Sequence, residues 1–574
     1  MPKIKRRSVP PIDTLQNCGL SPLIQRLYLA RGITHVSQIT YKLQNLLKPK
    51  QLSGIKKAAQ MIHQAINNKS KIVIVGDFDA DGATATALCL RAFRAFGHHN
   101  IDFLVPNRFE YGYGLSPQLI PILQQMQAQL IITVDNGISS FEGTQAAIDA
   151  NMQVIITDHH LPAEQLPNAD AIVNPNLRGD EFPSKNLAGV GVVFYLLAEV
   201  RAQLTQAHYF TDHNISPPNL AQWLDIVALG TVADMVTLDD NNRILVTAGL
   251  KRIQAGKSIA GIKALLLIAG KEYAKTTTET FGFAIAPRLN AAGRLEDMSI
   301  GIELLSTDDE NLAKTKALEL DTINQQRKAI QKDMQATANS VINELDKIKK
   351  LPDGICLYHK DWHQGVVGLV ASKAKEKTNR PVIAFAPEND KSDILKGSAR
   401  SIAGCHIRDA LVAIETQYPN LMLKFGGHAM AAGLSIEQKN YQQFRDIFNQ
   451  HVSKTLTDTQ RQHIIETDGE LDSSELCLAV AQELQQHGPW GQNFPAPLFD
   501  GWFNIIEKKE VGQGHTKLTL QTQDFSKRIA AIAFGIHPQQ FKKLQEKNQI
   551  TYRLDINEFR GRRTLQLIVQ DIIN

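Results

Sequence analysis

The chain has 574 residues, of which 43% are hydrophobic and 21% are charged, and its formal net charge is only +4. This is the composition of ordinary globular domains, so it excludes a disordered chain, a collagen-like fibre and a bare coiled coil. The length predicts several domains, at roughly 100–200 residues each. The longest apolar run, residues 189–198, is far shorter than the ~20 residues that a membrane-spanning helix needs, so we expect no membrane partner.

The chain begins with a basic stretch, MPKIKRRSVPP, that leads into polar residues instead of an apolar signal sequence. We therefore expect an unstructured basic arm and no signal peptide. Residues 1–48 as a whole are expected to form an N-terminal segment of short helices. The 5 cysteines are scattered and form no CxxC pair, which favours a reducing cytoplasm and disfavours structural zinc.

Strand-like segments alternate with helical ones over residues 49–300. The strand-like segments are short and rich in Val and Ile, and they are residues 71–77, 101–107, 130–137, 153–160 and 171–175. Helical patterns lie between them, for example at 83–96 and 140–151. Because short buried strands that alternate with helices are typical of βαβ units, the sequence predicts an α/β domain with a parallel sheet.

A stretch without helix breakers follows this domain. No Gly or Pro lies between residues 301 and 352, and Thr307 and Glu310 have the spacing of a capping box. We predict one long helix, or two in series, over residues 308–347, within a connecting segment that we assign to residues 301–350. The pattern leaves open whether this helix joins two lobes or packs within one domain.

Two further domains are predicted in the C-terminal part. Residues 351–455 combine the strand-like segments GICLYHK and PVIAFAP with a Gly-rich stretch, which predicts a second α/β domain. Residues 462–574 contain segments that alternate apolar and polar side chains, which predicts an antiparallel sheet and favours an OB-like barrel. From residue 501 onward, 12 Lys and Arg stand against 7 Asp and Glu, a local positive charge that suits a phosphate-bearing partner.

Acidic residues and histidines follow the ends of several predicted elements of the first domain. They are Asp77, Asp79, Asp81, Asp135, Asp158, His159, His160 and, at the end of a helical stretch, Asp234. Because the carboxyl ends of parallel strands share one edge of the sheet, residues far apart in sequence are expected to meet there in one cleft.

Converging carboxylates repel one another, and their pKa values rise unless a cation neutralises them. Carboxylates together with one or two imidazoles suit Mn²⁺ or Mg²⁺ better than they suit a thiolate-binding metal. Two ions ~3.5–4 Å apart are a common device for phosphoester hydrolysis, and one carboxylate can bridge them. The sequence therefore predicts a two-metal hydrolytic site.

Each of these motifs alone has a simpler interpretation. The Asp77 segment is compatible with a solvated turn or a calcium loop, although Leu88 stands where an EF-hand-like loop needs Glu. The two histidines are compatible with a structural role. Their joint occurrence at successive strand ends of one sheet favours the metal site.

The motifs resemble those of a known family. VGDFDADGATATAL, TVDNGI, TDHH and GTVADMV are similar, in this order, to the four motifs of the DHH phosphoesterases, and GGHAMAAG at 426–433 is similar to the signature of their DHHA1 domain. PRLNAAGRL at 287–295, GSARSI at 397–402 and the terminal barrel narrow the resemblance to the bacterial single-strand-specific DNA exonucleases of this family. The resemblance covers about residues 20–574.

The resemblance implies a role for each residue of the cleft. Asp79 and Asp81 match metal-binding carboxylates, with Asp77 as a further candidate ligand, and Asp135 matches the carboxylate that bridges the ions. His159 and Asp234 match ligands of the second ion. Asp158 would orient an imidazole, and His160 would face the scissile phosphate or the leaving oxygen.

The resemblance also implies residues that hold phosphate and DNA. The main candidates are Ser398, Arg400, Gly426, Gly427 and His428, and the weaker ones are Arg288, Asn290 and Arg294. The glycines are also compatible with a plain turn, Arg400 with a surface charge, and Arg294 with an ion pair to a neighbouring acid. In the barrel, where cations and stacking aromatics hold single strands, the candidates are Lys508, Lys509, Lys517, Lys527, Arg528, Arg553, Arg560, Arg562, Arg563, Phe525 and Phe559. Trp490 and Trp502 are expected in the core.

The function that the resemblance implies is a Mn²⁺- or Mg²⁺-dependent exonuclease that degrades single-stranded DNA from the 5′ end to 5′-mononucleotides. It would act in recombinational and mismatch repair, as a monomer in the bacterial cytoplasm at the nucleoid, beside a single-stranded DNA-binding protein and a RecQ-type helicase. Two alternatives stay open. One is a DHH enzyme of small substrates, such as a pyrophosphatase, an oligoribonuclease or a cyclic-dinucleotide phosphodiesterase, and the other is an inactive DNA-binding scaffold.

Overall fold

The computed structural model describes residues 3–11, 14–15, 18–107, 111, 113–347, 351–389, 392–512, 514–536, 538, 541 and 546–573. The chain divides into two compact units. One consists of Ile33–Gln325 and Gly488–Ala496, and the other of Met1–Gly32, Gln326–His487 and Pro497–Asn574.

Part of the basic N-terminal stretch, residues 3–6, is a strand, which corrects the prediction of an unstructured arm. Strand β1 (Lys3–Arg6) pairs in parallel with residues 464–467, which precede the C-terminal barrel in sequence. The guanidinium of Arg6 lies 2.7 Å from the carboxylate of the buried Asp500. Helix α1 (Pro22–Leu29) follows, capped by the side chain of Ser21. The prediction of a helical segment failed at β1 because strand pairing over such a distance leaves no local signal.

The first domain contains a five-stranded parallel sheet, as predicted. Its strands are β2 (Ile72–Gly76), β3 (Ile101–Leu104), β4 (Leu130–Val134), β5 (Gln153–Thr157) and β6 (Ala171–Val173), in the order β3-β2-β4-β5-β6. Strands β2 and β4 are buried along their whole length, which explains their continuous apolar sequences. All three strand ends that carry the predicted site residues therefore lie at the same edge of the sheet.

Helices surround this sheet and extend beyond it. They are α2 (Ile55–Asn67), α3 (Ala80–Ala95), α4 (Ile120–Gln125), α5 (Phe141–Asp149), α6 (Gly189–Gln206), α7 (Tyr209–Asp212), α8 (Leu224–Ala233), α9 (Asp240–Gln254), α10 (Ala260–Ile268), α11 (Thr278–Thr280), α12 (Ala286–Leu295) and α13 (Ser299–Ser306). The N-termini of α3 and α6 and the C-terminus of α8 carry residues of the candidate site.

One long helix, α14 (Glu310–Lys347), occupies the stretch without Gly and Pro. The sequence predicted this helix, but its N-terminal cap is Asp309 and not Thr307. The Asp309 carboxylate accepts hydrogen bonds from the backbone N–H groups of Asn311 and Leu312 at 2.8 and 3.2 Å. Thr307 is instead the residue that ends α13.

The second α/β domain has a mixed five-stranded sheet. Its elements are β7 (Ile355–Tyr358), α15 (Val367–Thr378), β8 (Val382–Pro387), β9 (Ile394–Arg400), α16 (Ile407–Gln417), β10 (Lys424–Gly427), β11 (Ala431–Glu437) and α17 (Tyr441–Thr455). The strand order is β10-β11-β9-β8-β7, and within it only β7 and β8 run parallel. Buried Phe385, Leu411, Leu434, Phe444 and Phe448 form its core.

The C-terminal domain is a closed five-stranded barrel. It follows α18 (Asp458–Arg461), β12 (Ile464–Thr467) and α19 (Leu478–Gln486), and its strands are β13 (Phe499–Val511), β14 (His515–Thr522), β15 (Arg528–Ala533), β16 (Lys547–Phe559) and β17 (Arg562–Ile573). Its pairings are antiparallel except that of β15 with β17. Trp502, expected in the core, lies on the outer face of β13 and is 39% exposed. Among the described residues, no helix is long and apolar enough to cross a bilayer.

Candidate active site

The loop after β2 brings the first acidic residues to the sheet edge. The carboxylate of Asp79 caps α3 by accepting the N–H groups of Asp81 and Gly82 at 2.9 and 3.0 Å. The side chain of Asn290 accepts the N–H of Ala80 at 2.7 Å and so fixes the loop from outside. A Cβ on Gly82 would lie 2.7 Å from the Cβ of Asp77, so this turn needs glycine.

Asp81 is held by the start of another helix. Its two carboxylate oxygens accept the backbone N–H groups of Gly189 and Val190, at 2.6 and 3.0 Å, at the N-terminus of α6. The positive end of the α6 dipole therefore faces this carboxylate. A Cβ on Gly230 of α8 would lie 2.9 Å from the Asp81 Oδ1 atom, so the neighbouring helix also leaves room for it.

Asp135 follows β4 in a left-handed backbone conformation, with φ of 62°, and is 2% exposed. A Cβ on Gly189 would lie 2.6 Å from its Cβ and 2.7 Å from its Oδ1 atom. The hydroxyl of Tyr113 donates to the Asp135 carbonyl at 3.0 Å. The helix start and the tyrosine thus confine Asp135 to one position.

The two histidines after β5 have different surroundings. His159 Nε2 lies 3.0 Å from Asp135 Oδ1 and 3.5 Å from Asp234 Oδ2. His160 Nδ1 lies 2.7 Å from Asp158 Oδ1, and the buried Asp158 also accepts N–H groups from residues 138, 159 and 160. His159 is therefore part of the carboxylate cluster, whereas His160 is oriented by Asp158.

The structure brings the predicted metal-binding residues together in overlapping groups. Ligand atoms of Asp77, Asp79 and Asp135 lie within 4.8 Å of one another. The same holds for Asp81, His159 and Asp234, and for Asp135, His159 and His160. Asp135 is therefore close both to the residues after β2 and to the histidines.

The buried carboxylates of the cluster repel one another, and bound cations would relieve this repulsion. Burial and the neighbouring carboxylates raise the pKa of Asp135 and of Asp234 well above the ordinary value, and they raise the pKa of Asp81 to about 7. Within the described residues, Asp135 Oδ1 and Asp234 Oδ2 are buried and accept no hydrogen bond. Carboxylate oxygens with one imidazole fit a hard divalent ion such as Mn²⁺ or Mg²⁺.

The pKa values of Asp158 and His160 shift in opposite directions. Burial alone would raise the pKa of Asp158, but the hydrogen bond and charge of His160 lower it to about 2. Burial alone would lower the pKa of His160, but its hydrogen bond with Asp158 and the surrounding acids raise it to about 9. In the metal-free protein the imidazole is therefore protonated at neutral pH.

The phosphate-binding candidates of the second α/β domain lie on neighbouring strands. Ser398 pairs with Gly433, which pairs in turn with Gly426, and Arg400 donates to Ser398 Oγ at 3.0 Å. Gly427 has φ of 144° and begins the tight turn that contains His428. A Cβ on Gly368 in the first turn of α15 would lie 2.9 Å from Arg400, so this helix start faces the same residues.

Two weaker candidates have partners within the same compact unit. The guanidinium of Arg288 donates to Asp321 at 2.8 Å and to the carbonyl of Ala284 at 2.5 Å. Asn290 holds the Asp79 loop, as described above. These contacts give both residues a structural role next to the site.

Sequence reasoning missed Gly189, Gly230 and Tyr113, which shape the cluster without bearing its charge. Residues 189–198 had stood out only as an apolar run. The signal available was a pair of glycines, Gly189 and Gly191, at the start of a helix that follows a loop. Such glycines often mark a close approach between backbone and a neighbouring group.

The fold and this site define a DHH phosphoesterase. The model of the DHH family N-terminal domain matches residues 71–231, that of the DHHA1 domain residues 351–454, and that of the RecJ OB domain residues 467–571. The chain belongs to the RecJ family of single-stranded-DNA-specific exonucleases, since it is 50% identical to the RecJ of Salmonella typhimurium, over 96% of both chains. It is 48% identical to the RecJ of Escherichia coli over 99% of both chains.

A solved structure has the same fold. The RecJ of Thermus thermophilus in complex with Mn²⁺ matches 99% of this chain and 78% of its own length, with a TM-score of 0.81 and 27% sequence identity. The likeness extends through all the domains described above.

Proposed function

We propose that this protein is a Mn²⁺- or Mg²⁺-dependent exonuclease that degrades single-stranded DNA from its 5′ end to 5′-mononucleotides. The observation that carries the proposal is the joint cluster of Asp77, Asp79, Asp81, Asp135, His159 and Asp234 in a chain of the RecJ family. The relatives are named as single-stranded-DNA-specific exonucleases, and solved relatives bind Mn²⁺ or Mg²⁺.

We assign the metal ligands from the groups of the cluster. Asp77, Asp79 and Asp135 would hold one ion, and Asp81, His159 and Asp234 the other, with Asp135 as the bridge. Bound ions would supply a hydroxide nucleophile and stabilise the leaving oxygen. The α6 N-terminus keeps the Asp81 carboxylate in place, and the left-handed backbone of Asp135 turns its side chain into the cluster.

His160 is the proposed proton donor to the leaving oxygen. Asp158 binds its Nδ1 atom and so fixes the orientation in which the ring would meet the substrate. In the metal-free protein, burial lowers the pKa of His160, but its hydrogen bond with Asp158 and the surrounding acids raise it to about 9, which favours a proton on the ring. Asp158 stays ionised because its own pKa is lowered, so it holds the ring in one orientation.

The other domains would bind the strand. Ser398, Arg400 and the Gly426–Gly427–His428 turn offer hydroxyl, guanidinium and backbone donors for phosphate. In OB barrels the second and third strands and the loops after the first and fourth strands bind oligonucleotides. Here Lys517 lies on the second strand, Arg528 on the third and Arg560 in the loop after the fourth. Phe559, which is 65% exposed, ends the fourth strand, and Arg562 begins the fifth.

We further propose the cellular setting that family resemblance implies. The protein would act as a monomer at the nucleoid, in recombinational and mismatch repair. Its substrate would come from a RecQ-type helicase that opens the duplex and a single-stranded DNA-binding protein that covers the released strand.

A substrate panel tests the proposal. Single-stranded DNA labelled at the 5′ end, the same sequence as a duplex, and pyrophosphate are each incubated with Mn²⁺ and with EDTA. We expect labelled mononucleotide from the single strand only, and only with Mn²⁺. Hydrolysis of pyrophosphate in its place would favour the alternative, a DHH enzyme of small substrates.

A matched pair of variants ties the activity to the cluster. Asp135→Asn removes the charge of the proposed bridge, whereas Asp149→Asn removes the charge of an exposed residue at the end of α5. We expect the first variant to fall to the rate seen in EDTA and the second to match the wild type. Full activity of Asp135→Asn in saturating Mn²⁺ would contradict the assignment.

A further inference from the structure

Residues 488–496, GPWGQNFPA, form a segment that we call the strap. The strap lies between α19 and the first strand of the barrel, and the model of the RecJ OB domain includes it. Nevertheless the strap belongs to the same compact unit as residues 33–325, although it is far from them in sequence. A segment of the C-terminal sequence is therefore part of the domain that carries the carboxylate cluster.

The strap contacts the loop that follows Asp234. The backbone N–H of Leu238 donates to the carbonyl of Gln492 at 3.0 Å. The side chain of Asn493 donates to the hydroxyl oxygen of Thr237 at 2.8 Å. A Cβ on Gly491 would lie 2.7 Å from Leu238 Cδ1, so the strap backbone packs directly against this loop.

Aromatic residues fix the strap at its place. Trp490 and Phe494 stack on each other with ring centroids 5.3 Å apart. The buried Arg243 of α9 lies over the Phe494 ring at 4.4 Å and donates to the carbonyl of Leu238 at 2.7 Å. The carbonyl of Trp490 accepts the hydroxyl of Thr278 at 2.6 Å. One guanidinium thus holds both the strap and the Asp234 loop.

Among the described residues, the loop between Asp234 and Thr237 is held mainly at its two ends. Asp234 ends α8, whose last hydrogen bonds hold it from the N-terminal side. Met235 then takes a left-handed conformation, with φ of 60°, and its side chain is 68% exposed. Beyond Met235, the first strong contacts of the loop are those of Thr237 and Leu238, to the strap and to α9.

We propose that the strap is a positioning element for Asp234, and that Asn493 and its partner Thr237 set the affinity of the ion that Asp234 binds. This inference rests on the proposed function, since it takes Asp234 as a metal ligand. A helix end frays when the chain beyond it is free. By fixing the chain three residues after Asp234, the strap keeps the carboxylate aimed at His159 and Asp81.

The test is a Mn²⁺ titration of full-length variants. Asn493→Gly removes the donor and keeps the backbone unstrained, because Asn493 has φ of 56° and its side chain is exposed. Asn214→Gly is the matched control, since Asn214 is also exposed and has φ of 53°. Thr237→Val removes the acceptor from the other side, and the double variant measures whether the two residues act as a pair.

Mn²⁺ binding is followed by electron paramagnetic resonance of the free ion, and turnover is measured separately over Mn²⁺ and DNA concentration. For Asn493→Gly and Thr237→Val, we expect the affinity for one of the two ions to fall by roughly 3- to 10-fold. This is at or below the lower end of the ~10- to 100-fold loss that is usual for groups contacting a ligand directly, because the strap acts on Asp234 through the backbone. The double variant should be no worse than either single variant. kcat at saturating Mn²⁺ and KM for DNA should stay unchanged.

Two results would overturn the inference. One is an unchanged Mn²⁺ affinity in both single variants. The other is a loss of Mn²⁺ affinity in Asn214→Gly that is as large as the loss in Asn493→Gly. If the variants unfold at a lower temperature but bind Mn²⁺ like the wild type, the strap stabilises the fold and does not position Asp234. A wild-type protein that binds no Mn²⁺ or cleaves no single strand would instead contradict the proposed function, so the two failures are distinguishable.

Discussion

Gly189→Ala tests whether the α6 N-terminus and Asp135 fit together as closely as the structure indicates. The new methyl group would lie 2.6 Å from the Asp135 Cβ and 2.7 Å from its Oδ1 atom. Non-bonded carbon atoms prefer separations of about 3.5–4.0 Å, so one of the two must move by about 1 Å. Asp135 is buried and already in a left-handed conformation, and the α6 backbone holds Asp81, so either movement disturbs a proposed ligand.

The magnitude follows from this displacement. A misplacement of about 1 Å in a catalytic constellation costs on the order of 10² in rate. Overpacking costs about 1–3 kcal/mol. Little of this is recovered from the better helix propensity of Ala, because Gly189 is the first residue of α6 and not an interior one. We therefore expect a folded protein that has lost roughly 10²-fold in kcat and binds Mn²⁺ more weakly.

Gly191→Ala provides the control in the same helix. The three atoms nearest to its methyl group would all belong to Leu187, and the closest is Cδ2 at 3.2 Å, the far end of a flexible side chain. Single-turnover cleavage, Mn²⁺ titration and thermal unfolding of both variants separate a damaged site from a damaged fold. Wild-type kcat and Mn²⁺ affinity in Gly189→Ala would refute the reasoning, and so would equal losses in the two variants.

The remaining predictions concern the histidines, pH and the barrel. The His160→Ala variant should still bind metal and DNA but lose on the order of 10²–10⁴ in single-turnover rate. The His159→Ala variant should bind metal more weakly and recover part of its activity at high Mn²⁺. The metal content of the two purified variants tests this, and the opposite pattern would show that the roles of the histidines are reversed. Without metal, the pKa of Asp81 is raised to about 7 in the native protein. Between its ordinary value and about 7, the native protein therefore keeps a proton that the unfolded chain has released, and the stability of the metal-free protein falls as pH rises through this range. The rise in unfolding temperature on adding Mn²⁺ should therefore be larger at pH 8 than at pH 6, and an equal rise would contradict the shift. Neutralising Arg560 and Arg562 together should make the slope of log K for single-strand binding against log salt concentration shallower by about 1.4, which corresponds to two lost phosphate contacts. Cleavage at saturating DNA should be unchanged. An unchanged slope would show that these residues do not bind the strand.

The sequence predicted those parts of the fold that have a local signal. The five parallel strands are short runs of Val and Ile between helical patterns, and the long helix is a stretch without Gly or Pro. The acidic residues were identifiable because they follow strand ends, and the parallel topology then brings them together. Motif order and spacing therefore predicted which of these residues lie close together.

Contacts between distant parts of the chain were not predictable in this way. Strand β1 depends on pairing with β12, and the strap depends on packing against the Asp234 loop. Gly189 appears in sequence as one small residue of an apolar run, and its closeness to Asp135 arises only from the packing of α6 against the sheet edge. The cap of α14 is Asp309 and not Thr307, since the Thr307 hydroxyl accepts the N–H of Asp309 while the Asp309 carboxylate accepts the first N–H groups of the helix.

The central claim is a two-metal site bridged by Asp135, and anomalous diffraction from crystals grown with Mn²⁺ tests it most directly. The account predicts two manganese peaks about 3.5–4 Å apart, with Asp135 oxygens bound to both, Asp77 and Asp79 on one side, and Asp81, His159 and Asp234 on the other. A single manganese peak, or two peaks of which only one contacts Asp135, would contradict it.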